Sequence, residues 1–284
     1  MAKPRGKWDM NAFYRKLKEG RGMGTGPDYN PFIHIHDIAS LGICSRVKSE
    51  TVGRIHHLLS RNELAFFYIL DFDDNVIDIR EQYPLLNPED PYDLEWPVRL
   101  AEDAGIRYPR CSRSQCPYVM TSDFMVTTTT GYHVYSIKEV KEFDKENVRK
   151  NQEFERHYWL LQNIPWTIMT ERDICYAKAS NIQWIYNARS SDIPLYFPDN
   201  APCGEVMAFE KELYEQTNYP IRKIALEAEA YFGIEEAGLG ITAFQRLLYE
   251  KKLVIPLENP LDLTSPRMYY DEERRGFTWL EVYR

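Results

Sequence analysis

No stretch of this 284-residue sequence approaches the roughly 20 uninterrupted apolar residues that a membrane-spanning helix needs. The first twenty residues also lack the apolar core of a secretory signal, so no membrane partner and a cytoplasmic location are expected. Cysteine is scarce: the five residues Cys44, Cys111, Cys116, Cys175 and Cys203 are odd in number and scattered. That pattern excludes a disulfide framework and leaves free thiols as the expected state. Cys111 and Cys116 lack the second pair that would complete a zinc knuckle. The segment Gly20-Arg21-Gly22-Met23-Gly24-Thr25-Gly26-Pro27 lacks the Gly-Lys-Ser/Thr of a nucleotide-binding loop, so it reads as a flexible basic loop. Basic charge is itself in deficit, with 35 Lys/Arg against 43 Asp/Glu and a net charge of −8. A uniformly basic surface is therefore excluded, and weak DNA binding by the isolated chain follows.

What is present describes a folded protein of about two domains, because 44% of residues are hydrophobic and 14% aromatic. The charge is uneven. Residues 1–26 carry seven Lys/Arg and two Asp/Glu, whereas residues 179–284 are acidic on balance. A basic front that touches DNA through Lys16, Lys18 and Arg21 is expected, with a rear that meets a protein.

Hydrophobic periodicity predicts a helix over residues 54–70, with Ser60 and Glu63 spaced as a capping box. Strands are predicted at 76–85, 119–127, 132–140 and 166–170, a short helix at 94–104 and a long helix at 145–162. Strand–helix–strand order gives an α/β class: a mixed sheet flanked by helices over residues 1–178. Beyond residue 174 the pattern changes to short helices, among them one following Pro220 and one over 242–252, then a strand at 253–257. Helix, turn, helix and hairpin in that order fit a winged-helix-like domain over 179–284.

One chemistry fits the polar residues of the sheet region. Phosphodiester hydrolysis needs oxygen ligands for one or two hard cations, and a positive group near the phosphate. A hairpin centred between Thr130 and Gly131 places Asp123 directly opposite Lys138, with Cβ atoms roughly 4.5–5.5 Å apart and Ser136 on the same face. A cross-strand Asp–Lys pair alone is equally a surface ion pair. Glu63 is the third candidate, although capping alone explains a glutamate there. Asp73, Glu155 and Ser136 are secondary candidates. His34, His36, His56 and His57 are not expected to bind metal, since adjacent histidines on a helix diverge.

Several runs resemble the TnsA family of transposase endonucleases. They are Glu19-Gly20-Arg21-Gly22 with Asp28-Tyr29, then Gly53-Arg54-Ile55-His56-His57-Leu58-Leu59-Ser60 with Glu63-Leu64-Ala65. Asp78-Ile79-Arg80-Glu81-Gln82-Tyr83-Pro84-Leu85, Ser122-Asp123-Phe124, Glu155-Arg156-His157-Tyr158-Trp159 and Ile164-Pro165-Trp166 continue the series in collinear order. The likeness covers roughly residues 10–185 and fades in the C-terminal third.

The resemblance implies a restriction-endonuclease-like catalytic domain and a winged-helix-like C-terminal domain. It also implies that Glu63, Asp123 and Lys138 form the catalytic set. Glu63, Asp123 and the Ile137 carbonyl would hold Mg²⁺, with Mn²⁺ as a substitute, as one or two ions. The family carries Glu or Gln two residues before the lysine, where this chain has Ser136, which puts a second ion's site in question. The implied activity is DNA cleavage at the 5′ ends of a transposon in cut-and-paste transposition. The implied partners are double-stranded DNA, the integrase-like subunit TnsB, and the ATP-dependent regulator TnsC through the C-terminal domain. Two other readings stand beside it: a stand-alone restriction- or repair-type nuclease, and an adaptor whose nuclease site has decayed.

Overall fold

A computed structural model describes residues 7–37, 44–188 and 202–265, and the backbone of strands 268–271 and 276–279. The chain divides into two compact units, Met1–Cys175 and Tyr176–Arg284. The division falls three residues before the expected one, because Tyr176–Ile185 is one continuous helix. No helix among the described residues is long and apolar enough to cross a membrane. All five cysteines are free.

The first unit begins with α1 (Met10–Lys18), whose N-cap Asp9 accepts the Ala12 N–H at 3.0 Å. Strands β1 (Ser45–Lys48) and β2 (Ile55–Leu58) form a small antiparallel sheet ahead of α2 (Arg61–Asp71). The expected helix over 54–70 is thus corrected to a strand followed by a helix. Ser60 caps the Glu63 N–H at 3.1 Å from an extended backbone with φ −148°, and a residue in that conformation cannot continue a helix from upstream.

The main sheet contains β3 (Val76–Pro84), β4 (Thr121–Thr128), β5 (Gly131–Ile137) and β6 (Trp166–Met169) in that spatial order. Its first three strands are antiparallel, and β6 runs parallel to β5 after the crossover helix α4 (Glu146–Leu161). A short α3 (Trp96–Asp103) lies between β3 and β4. The ring of Phe66 on α2 lies 6.1 Å from that of Phe124 and 4.9 Å from that of Tyr135. The next residues along those strands, Met125 and Val134, pack instead with Phe154, Tyr158 and Trp159 of α4 and with Val98 and Ala101 of α3. Neighbouring strand residues point to opposite faces, so helices cover both sides of a mixed sheet.

The glycine-rich loop is not free. Gly22 lies so close to β3 that a Cβ there would fall 2.4 Å from Pro84 Cγ. The Gly26 N–H reaches Asp78 Oδ2 at 3.1 Å, and Tyr29 donates its hydroxyl to the Glu81 carbonyl at 3.1 Å. These contacts fix the loop along the outer edge of β3, where unpaired backbone groups need covering.

In the second unit, α5 (Tyr176–Ile185) is followed by α6 (Cys203–Gln216), α7 (Ile221–Phe232), α8 (Leu239–Tyr249) and a hairpin of β7 (Met268–Asp271) and β8 (Gly276–Trp279). Phe244, Leu247 and Leu248 are buried on α8 as its periodicity predicts. Gly240 lets α8 approach α7, because a Cβ there would meet the Ala225 carbonyl oxygen at 2.4 Å. The expected strand at 253–257 is corrected to an irregular segment. Leu253, Ile255 and Leu257 are buried in alternation, but the Leu257 carbonyl accepts from Asn181 Nδ2 at 2.8 Å and, among the described residues, no strand pairs beside it.

Candidate active site

The hairpin of β4 and β5 turns at Thr129-Thr130, with Thr128 opposite Gly131 and Phe124 opposite Tyr135. Continuing that register brings Asp123 level with Ser136, so the expected direct opposition of Asp123 and Lys138 is corrected. A slip of two residues leaves every side chain on its original face, whereas a slip of one would reverse them. Lys138 therefore stays on the side of Asp123, and its long stem closes the gap: Nζ lies 2.6 Å from Asp123 Oδ2.

Asp123 Oδ2 also accepts the Ile137 N–H at 2.6 Å, and Ser136 Oγ stands 3.5 Å away. Lys138 Nζ donates in addition to the Ile137 carbonyl at 2.9 Å. The ammonium thus bridges the two oxygens that the family resemblance would give to a cation. Burial by itself would depress the Lys138 pKa, but the charges of Asp123 and Glu155 outweigh it and hold the group above the ordinary lysine range.

Glu63 enters from the first turn of α2 and is 5% exposed. Its Oε2 accepts the Leu59 N–H at 2.8 Å and its Oε1 the Ser60 hydroxyl at 3.0 Å. Glu63 therefore caps the helix, reaching one residue further back than a standard capping box. Burial, then the Asp123 charge, pushes its carboxyl up to about 8. Capping and proximity to Asp123 coexist in one side chain.

Glu155 arrives from α4, buried to 2%. Its Oε2 accepts from Ser136 Oγ at 3.2 Å and from Gln152 Nε2 at 3.3 Å, while Oε1 has no hydrogen-bond partner among the described residues. Burial raises its pKa, with Asp123 adding to the effect and Lys138 opposing it. The floor beneath is fixed by Trp159 Nε1, which donates to Ser122 Oγ at 2.8 Å. Among the described residues, no three His, Cys, Asp or Glu side chains are close enough to form a metal cluster by themselves.

Residues 73–171 match the model of the TnsA-like endonuclease N-terminal domain. The transposon Tn7 transposition protein TnsA of Escherichia coli is 35% identical over 196 residues, which is 68% of each chain. The chain belongs to the TnsA family. Asp123, Ser136, Ile137, Lys138 and Glu155 all lie inside the stretch that matches the TnsA domain, and Glu63 lies ten residues before it.

Other sequence candidates fall elsewhere. Asp73 sits in the exposed turn after α2, where its Oδ1 accepts from the Asn75 N–H at 2.9 Å, and it is not part of the site. Lys16 donates to the Phe32 carbonyl at 3.2 Å and to Asp37 at 2.8 Å, and Arg21 pairs with Glu19 and the same Asp37. Their side chains are 13% and 14% exposed, so two of the three expected DNA contacts are already paired with carboxylates, and Lys18 alone of the three is exposed.

Sequence reasoning missed the buried support behind the site. Arg54 holds Glu81 with two hydrogen bonds, at 2.9 and 2.5 Å, and the His57 N–H donates to Glu81 Oε1 at 2.9 Å. His56 Nδ1 lies 2.9 Å from Glu81 Oε2 but off the line of a hydrogen bond. Burial alone would raise the Glu81 carboxyl; His56 and Arg54 hold it well below the usual carboxylate range. The TnsA-like runs contain Arg54 and Glu81, but nothing in their spacing reveals that they meet.

Proposed function

We propose that this protein is the endonuclease subunit of a transposase, hydrolysing phosphodiesters at the 5′ ends of a transposon. The observation that carries the reading is the 2.6 Å contact of Asp123 with Lys138, two charges that act on the buried carboxyls of Glu63 and Glu155, in a chain of the TnsA family. The mixed sheet with helices on both faces agrees with a restriction-endonuclease-like domain. The helices and hairpin of the second unit agree with a winged-helix-like one.

Two features support Mg²⁺ as the partner of this donor set. Glu63 and Glu155 are buried carboxyls whose anionic forms are disfavoured until a cation compensates them. The Lys138 ammonium already draws Asp123 Oδ2 and the Ile137 carbonyl around one positive charge. Asp123, Glu63 and the Ile137 carbonyl would hold the ion, with Glu155 in support. Bound there, Mg²⁺ or Mn²⁺ supplies Lewis acidity and lowers the pKa of a bound water.

The residues do the rest. Lys138, kept charged by Asp123 and Glu155, places a cation beside the phosphate as negative charge grows on it. Asp123 fixes that ammonium, and the Ile137 N–H keeps the Asp123 carboxylate turned towards it. Ser136 offers only a hydroxyl, so the second carboxylate at this level comes from Glu155 on α4. The contact of Asp123 with Lys138 argues against a decayed site.

The acidic second unit suits a protein partner, the regulator TnsC, and the subunit TnsB completes cleavage at the 3′ ends. Mixing the purified chain with both partners, Mg²⁺ and labelled end-bearing DNA tests the reading. Cleavage of the 5′ strand is expected only in the full mixture. Equal cutting of arbitrary DNA by the chain alone would identify a stand-alone nuclease instead.

A further inference from the structure

Gln82 has a backbone that few residues of its kind adopt. It is not a glycine, yet its φ is 49°, and the side chain is 3% exposed. A non-glycine residue held there is strained and persists only where its surroundings dictate it. Pairing of β3 with β4 runs through Glu81 and Phe124 and resumes at Tyr83 and Ser122, so the kink falls within the strand rather than at its end. The kink divides the residue's polar groups between two neighbours. Its carbonyl accepts the Phe32 N–H at 3.3 Å, from the segment that covers the β3 edge. Its side-chain amide turns towards the site.

There, Gln82 Oε1 accepts from Thr121 Oγ1 at 3.1 Å, which leaves Nε2 facing Glu63 Oε2 at 3.5 Å. The other donors to Glu63 are Leu59 and Ser60, both in the turn that opens α2. Gln82 is the contact that comes from the sheet, and the sheet carries Asp123. At 3.5 Å the contact lies beyond the usual N–H···O range and adds little binding energy by itself.

We infer that Gln82 is a positioning residue: its amide, oriented by Thr121, registers the Glu63 carboxylate of α2 against Asp123 so that both can take one divalent cation. This rests on the reading of Glu63 as a metal ligand. Outer groups that orient a metal ligand typically contribute about 10- to 100-fold in metal affinity.

The test is Mn²⁺ binding to the full-length protein without DNA, measured by titration calorimetry. Gln82→Met keeps the length and removes the amide; Gln82→Gly removes the side chain and suits the backbone, so a folded variant is available either way. Both are expected to bind Mn²⁺ about 10- to 100-fold more weakly, with an unchanged circular dichroism spectrum. In a Glu63→Gln background, Gln82→Met should cost nothing further, because a residue acting through Glu63 has nothing left to orient. Wild-type Mn²⁺ affinity in a folded Gln82 variant, while Glu63→Gln binds weakly, overturns the role of Gln82 and leaves Glu63 as ligand. An equal loss from Gln82→Met in both backgrounds also overturns it. Wild-type affinity in Glu63→Gln overturns the ligand reading and the inference together.

Discussion

Titrating the protein with Mn²⁺ at pH 7 is expected to release protons, and at pH 9 hardly any, because of Glu63. Its carboxyl is pushed up to about 8 by burial and by Asp123, so without a cation most of it is protonated at neutral pH. A carboxyl must lose its proton to bind metal. A carboxyl that titrates near 8 implies about 0.9 proton released per ion at pH 7 and about 0.1 at pH 9. Apparent affinity should rise as much as about tenfold per pH unit below pH 8 and level off above it. The sign for stability runs the other way. The folded pKa lies above the unfolded 4.5, so the folded chain holds more protons between these values. Without metal, stability from this group is full below pH 4.5 and falls as pH rises to about 8. Glu63→Gln imitates the protonated form and keeps one oxygen to accept from Leu59 or Ser60. It should change stability by no more than about 1 kcal/mol, while proton release disappears and affinity drops. Calorimetry in buffers of different ionisation enthalpy counts the protons. Wild-type release from Glu63→Gln, or none from the native protein at pH 7, would refute the reasoning.

Asp123→Ala and Lys138→Ala should each lower 5′-strand cleavage by at least about 100-fold in the reconstituted mixture with the fold retained, and a primer-extension assay of the ends reads the loss. Arg54→Ala leaves Glu81 buried without its bidentate partner and should destabilise the first unit by about 3–5 kcal/mol, seen as a lower denaturation midpoint. Glu210 on α6 is fully buried, neither carboxyl oxygen has a hydrogen-bond partner among the described residues, and burial with the Glu229 charge raises its pKa to about 9. The native protein therefore loses stability as pH rises from 4.5 to about 9. Glu210→Met should be more stable by on the order of a few kcal/mol at pH 7, and by progressively less towards pH 4.5, in urea melts across that range. Lys18→Ala should weaken DNA binding measurably, whereas Lys16→Ala should act mainly on stability, because Lys16 is already committed to Asp37. A comparison of salt-dependent DNA affinities separates the two.

Local order was legible in the residues. The spacing of Phe154, Tyr158 and Leu161 predicts α4 to within a residue at each end, and the capping pair Ser60 and Glu63 is visible too, although the expected helix runs back to residue 54 whereas α2 starts at Arg61. These features depend on neighbours three or four positions apart, which the sequence displays directly. Even the wrong hairpin register kept Asp123 and Lys138 together, because alternation along a strand depends only on parity. Partnership over longer separations was not legible. That Asp37 takes up Lys16 and Arg21, that Glu155 reaches Ser136 from α4, and that Gln82 leaves the strand geometry beside Glu63 are outcomes of packing. Charge counts treat Lys16 and Arg21 as available to DNA; only the fold reveals that a carboxylate already holds them. The sequence determined which residues could do the chemistry and on which elements they ride. Tertiary structure decided which of them meet and which are neutralised, because burial turns weak contacts between distant residues into strong ones by removing water.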